Sequence, residues 1–152
     1  MLKQLELNLF LDSFLENSIQ KEIGYLKMSE CVENSYLKPV LKKKHLESCQ
    51  HSIDLKKCFL ESNIAPTEKP YGAGLKFEKW MNANSILKIT DKKRMLNEII
   101  LAEEKCIGDY NLLLINNDLP LSLRNIINKQ KKSVEKSLIE LKNYSLLEGI
   151  LL

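Results

Sequence analysis

Leucine at helical spacing, with very little to break it, constrains this chain more than any other feature. Leucine supplies 28 of the 152 residues, whereas Val and Thr together supply five. Strands favour β-branched residues, so the bias argues against a β-rich fold and for long amphipathic helices. Four prolines and five glycines leave few places to stop them. The length fits one domain over residues 1–152, with a core from about 5 to 147. An apolar content of 44 % against 28 % charged residues argues against wholesale disorder.

The apolar positions predict four long helices. The first, over about 5–33, places Leu11, Leu15, Ile19, Ile23 and Leu26 on one face at steps of three or four. Asn34-Ser35 interrupts it, with Ser35 a candidate N-cap and Pro39 in the first turn of the next helix. That second helix, over about 36–63, carries Leu37, Val40, Leu41, Leu46, Cys49, Ile53, Phe59 and Leu60 around a polar middle. The short connection predicts an antiparallel hairpin. Residues 64–74 hold two prolines and two glycines and read as a long crossover. A shorter helical stretch, about 75–89, includes Phe77, Trp80, Met81 and Leu87, and Thr90 or Asp91 is the candidate cap of the third long helix. That helix, about 91–115, repeats Met95, Ile99, Ala102, Cys106, Tyr110 and Leu113; the fourth, about 119–147, repeats Leu123, Ile127, Gln130, Val134, Leu138 and Leu141. Four rods with one stripe each bury their stripes together most simply as an antiparallel four-helix bundle, with the short extra helix between helices two and three. The apolar end, Leu146 to Leu152, is expected to fold back onto the bundle or to meet a partner.

Bulk properties narrow the function. A net charge of +3 is short of a dedicated nucleic-acid binder. The runs Lys42-Lys43-Lys44, Lys56-Lys57, Lys92-Lys93-Arg94 and Lys129/Lys131/Lys132 read as solvated helix faces with few aromatics for base stacking. No stretch of about 18 apolar residues exists, which argues against a membrane partner. The first residues lack a secretory pattern, so the expected location is cytoplasmic. Cys31, Cys49, Cys58 and Cys106 have no C-x-x-C pair and read as free thiols.

Long bundles can hold two metal ions, using an inward Glu from each of two helices and Glu-x-x-His from each of the other two. The inventory excludes the full set: His45 and His51 are the only histidines, both lie on the second helix, and Lys42 and Ser48 stand three residues before them. A reduced set of Glu47, His51 and Glu103 is the remaining metal candidate. Cys49 and His45, four residues apart, make a weak nucleophile pair with no oxyanion donor in sight. Tyr71-Gly72-Ala73-Gly74 comes after no strand and precedes no Gly-Lys-Ser/Thr, so it is no phosphate loop. No catalytic residue, cofactor or metal site is therefore assigned.

Several marks together resemble a bacterial family of ferritin-like four-helix-bundle domains of unassigned function. They are Gly24-Tyr25, Leu37-Lys38, Leu55-Lys56, Gly74, Trp80-Met81, Glu103-Glu104, Tyr110, Asp118-Leu119-Pro120, Arg124 and Gln130, across about residues 5–145. The resemblance implies a ferritin-like bundle that self-associates as a dimer, in a superfamily that handles iron, oxygen or peroxide. This chain departs from it at Ile23, Phe77 and Leu138, where members often show Glu, His and His, and Glu103 survives as the inward carboxylate. Three apolar replacements predict a drier core with a degenerate di-metal centre. The expected function is a non-enzymatic structural, stress-related or protein-interaction module. The alternative is an iron- or manganese-binding protein, or a remnant di-iron oxidase, on the reduced set.

Overall fold

A computed structural model describes residues 4–33, 36–64, 80–89 and 91–151. Five helices succeed one another: α1 (Gln4–Cys31), α2 (Leu37–Glu61), α3 (Ala83–Leu87), α4 (Lys92–Leu114) and α5 (Leu121–Leu151). No strand occurs among the described residues.

Local chemistry sets the ends. Asp91 accepts from the backbone N–H groups of Lys93 and Arg94 and caps α4. Asn82 does the same for α3 through Ser85. The α2 terminus is a Schellman turn: Asn63 takes a left-handed φ of 55°, and the Ile64 N–H donates to the Phe59 carbonyl at 2.9 Å. Tyr36 precedes α2 with no side-chain cap, and the expected cap Ser35 lies outside the described residues. Arg124 closes α4 from the next helix, donating to the carbonyls of Leu114 at 2.7 Å and Asn116 at 2.5 Å.

Cross-helix contacts give the directions. Ser18 bonds Ser52 while Glu22 meets His45, and Phe14 meets Tyr110 while Lys21 meets Glu103, so α1 runs antiparallel to both α2 and α4. Tyr110 reaches Gln130 while Lys142 reaches Glu104, so α5 opposes α4. The four long helices thus run up, down, down and up.

Two apolar clusters fill the interior at different levels. One joins Phe10, Phe14, Phe59, Trp80, Tyr110 and Ile127. The other joins Tyr25, Met28, Leu41, Leu96, Ile99 and Leu141. Between them lies a polar belt of Ser18, Lys21, Lys44, Ser48, Ser52, Glu103, Gln130 and Ser137, all buried.

This belt corrects the expected stripes of the first hairpin. The α4 and α5 stripes are buried as predicted, Leu138 included. On α1, however, Ile23 and Leu26 are exposed, and on α2 so are Leu46, Ile53 and Leu60. The inner face of α1 runs instead through Phe14, Ser18, Lys21, Tyr25 and Met28, and that of α2 through Leu41, Lys44, Ser48, Ser52 and Leu55. Apolar spacing alone selects the wrong face, because the right one carries polar groups that find partners inside. The reading of the Lys42–Lys44 run as wholly solvated is corrected too: Lys44 is buried. So is the expectation that the end folds back, since α5 continues to Leu151 with Leu146 and Leu147 exposed. The short helix is α3 alone, and Phe77, Thr90 and the glycine-rich residues 71–74 lie outside the described residues.

Candidate functional site

The polar belt is a charge-balanced cluster of two ammonium groups and two carboxylates. Lys21 comes from α1, Lys44 and Glu47 from α2, and Glu103 from α4. Glu103 is fully buried, with Oε2 at 2.9 Å from the Lys21 Nζ and 3.4 Å from the Lys44 Nζ. Its other oxygen accepts from the Tyr25 hydroxyl. The Lys44 ammonium also donates to Glu47 Oε1 at 2.5 Å and to the Ser137 hydroxyl at 2.8 Å. The Lys21 ammonium approaches the Cys106 Sγ at 3.6 Å and lies 5.7 Å from the centre of the Trp80 ring. Ser133 of α5 donates to the second oxygen of Glu47 at 3.0 Å.

A second chain of bonds extends the belt toward α5. Tyr110 donates to Gln130 Oε1 at 3.2 Å, and Gln130 Nε2 donates to the His51 carbonyl at 3.1 Å. Beside it a cleft of about 670 Å³ opens between α2 and α5, lined by Glu47, His51, Asp54, Gln130 and Ser133 among others. A smaller cleft of about 250 Å³, lined by Lys44, Glu47, Ser137 and Tyr144, opens on the same seam. Glu47 borders both, so one edge of the cluster meets the outside. The expected dry core is therefore overturned: ions and hydroxyls fill the middle of the interior.

The electrostatics freeze the protonation states. Burial alone would raise the Glu103 carboxyl, but the Lys21 and Lys44 charges outweigh it and bring the pKa down to about 2. Burial alone would lower the Lys21 ammonium; the charge of Cys106 when ionised and that of Glu103 hold it above its ordinary value. Burial pushes the Cys106 thiol up to about 12 and the phenols of Tyr25 and Tyr110 well above their usual range. Burial, seconded by the Lys21 charge, brings His51 down to about 4. At neutral pH the cluster thus holds neutral thiol, phenols and imidazole around two ammonium groups and two carboxylates. None is an activated nucleophile.

The three metal candidates are not brought together as a ligand set. Glu103 points inward as expected, but its oxygens are taken by Lys21, Lys44 and Tyr25. The Lys44 ammonium stands between Glu103 and Glu47, where a shared cation would have to sit. Among the described residues, no group of three or more His, Cys, Asp and Glu side chains is placed to hold a metal ion. His45 Nδ1 lies 2.9 Å from the Glu22 carbonyl and its Nε2 3.5 Å from the Cys49 Sγ. Burial raises the Cys49 thiol, which disarms that pair.

Lys21 and Lys44 escaped the sequence reading. Lys21 sits beside Glu22 like any surface charge, and Lys44 ends a lysine run. The signal was in register: Leu41, Lys44, Ser48, Ser52 and Leu55 are spaced like one helical face.

Fold and site together define an all-helical protein with an ion-paired centre. No family model, curated protein or solved structure matches the chain. No described helix is long and apolar enough to cross a membrane.

Proposed function

We propose that this chain is a ferritin-like four-helix bundle in which lysine ammonium groups stand where metal ions would, and that it serves as a non-enzymatic structural or protein-interaction module. The observation that carries the reading is the Lys44 ammonium shared by Glu47 at 2.5 Å and Glu103 at 3.4 Å, with Lys21 on the same oxygen of Glu103. A metal centre of this superfamily draws carboxylates from all four helices. Here α1 offers Lys21, α5 offers Ser133 and Ser137, and the two carboxylates are already neutralised. The up-down-down-up order with one long connection between α2 and α4 supports the bundle assignment.

The test is metal loading. The protein is dialysed against ferrous iron, manganese or zinc, passed over a desalting column and analysed for metal. Well under one equivalent is expected for each. Stoichiometric metal in the native chain, lost in Glu103→Ala, would return the function to a metal-binding protein or remnant oxidase on Glu47, His51 and Glu103.

A further inference from the structure

The first hairpin wears two apolar stripes, and only one of them is covered. On α2 the outward one is Leu46, Ile53 and Leu60, exposed by 66, 57 and 76 %. They recur every seven residues, and Cys49 falls between the first two, the spacing of a helix–helix seam. On α1 Ile23 and Leu26 are exposed by 52 and 41 %, and Ile19 is half-buried beside them. The two stripes are level with each other, because His45 binds the Glu22 carbonyl and Cys49 interacts with the Glu22 side chain. The outer face of α5 is built differently: its exposed positions from Asn125 to Lys136, such as Asn128, Lys129 and Lys132, are all polar. The five exposed side chains leave on the order of 600 Å² of apolar surface open, the upper end for a monomer's largest patch. With the half-buried flanks this approaches the roughly 800 Å² per partner of a standard interface.

The charges around the stripe say what covers it. Glu16 and Glu30 rim it on α1, and Lys42 and Lys56 rim it on α2. Each pair is separated by fourteen residues, about 21 Å along a helix. Among the described residues none of the four has an ion-pair partner within the chain. The α1 half of the face thus carries acids and the α2 half bases at matching spacing, the exposed Lys27 of α1 being held by Asn84, so the face is complementary to itself.

We propose that the outer face of the α1/α2 hairpin is the interface of a homodimer whose twofold axis runs parallel to the helices. That axis keeps each level and lays α1 of one copy antiparallel against α2 of the other. Lys42 then comes within about one helical turn of Glu30 of the second copy, and Lys56 within about one turn of Glu16. A twofold axis across the helices would set α2 on α2 and oppose like charges, which disfavours it. This pairing is independent of what occupies the centre of each chain.

Sedimentation equilibrium tests it. The native chain is expected at twice its 17.6 kDa mass. Ile53→Glu is expected to weaken association at least a hundredfold while the far-ultraviolet circular dichroism stays helical. Should that variant lose its helical signal, the charge variants carry the test alone. Lys42→Glu with Lys56→Glu, and Glu16→Lys with Glu30→Lys, are each expected to weaken the dimer at least tenfold, and all four changes in one chain to restore it. A native chain that is monomeric at about 100 µM, or a dimer indifferent to Ile53→Glu in a folded chain, would overturn the interface. Charge reversals without effect, or without rescue in the fourfold variant, would overturn the pairing.

Discussion

Replacing Glu103 by Gln removes the carboxylate that both lysines share, with almost no change in shape. Lys21, which is 3 % exposed, is then left without an ion-pair partner. Breaking a buried pair from one side typically costs about 3–5 kcal/mol. The upper limit comes from titration. The stranded ammonium can shed its proton, and doing so at pH 7 from an ordinary lysine pKa near 10.4 costs about 4.6 kcal/mol at ~1.36 kcal/mol per unit. That cost shrinks as pH rises toward the unfolded pKa, because the unfolded chain then loses the same proton. The variant's deficit is therefore expected at about 3 to 4.6 kcal/mol at pH 7 and at no more than about 1.9 kcal/mol at pH 9. Urea titrations at the two pH values, monitored by circular dichroism and by the fluorescence of the single tryptophan, Trp80, give both numbers. A deficit below about 1 kcal/mol, or one that does not change with pH, would refute the reasoning that Glu103 holds Lys21 charged in the interior.

The same geometry sets three further outcomes. His51 has a folded pKa of about 4 against 6.5 unfolded, so its contribution is complete above pH 6.5 and is lost as pH falls toward 4; between pH 7.5 and 5 the native chain should lose up to about 2 kcal/mol more stability than His51→Gln, and parallel stability–pH curves would contradict this. Leu138→Ala should cost about 2–5 kcal/mol in chemical denaturation, since Leu138 is buried; a much smaller loss would contradict the α5 register. Arg124→Met removes the bonds to the carbonyls of Leu114, at the end of α4, and of Asn116 just beyond it, and should cost about 1–3 kcal/mol, with faster amide exchange over residues 111–116 as the local readout; unchanged exchange there would contradict the capping role.

How far the sequence could be read depended on what each helix buries. On α4 and α5 the inner faces are almost wholly apolar, so Met95 to Leu113 and Leu123 to Leu141 declared themselves by spacing. On α1 and α2 the inner faces carry Ser18, Lys21, Lys44, Ser48 and Ser52, while the outer faces carry Ile23, Leu46 and Ile53. Periodicity measures where apolar residues lie. It cannot tell a stripe that faces the core from one that faces another molecule. Glu103 was legible as an inward carboxylate through the family-like marks around it. Its partners were not, because burial of a lysine depends on charges supplied by helices distant in sequence: Lys21 and Glu103 are 82 residues apart. The glycine-rich stretch read as a crossover lies outside the described residues.

The lysines themselves give the most direct measurement of the central claim. In protein labelled with nitrogen-15 at the lysine side chains, Lys21 and Lys44 should appear at neutral pH as two ammonium groups in slow exchange with water. Each should vanish in the corresponding Lys→Met variant, and both should shift in Glu103→Gln. Spectra in which every lysine exchanges as fast as a surface side chain, or in which these two signals are displaced by added iron or manganese, would contradict a centre built on lysine–carboxylate pairs.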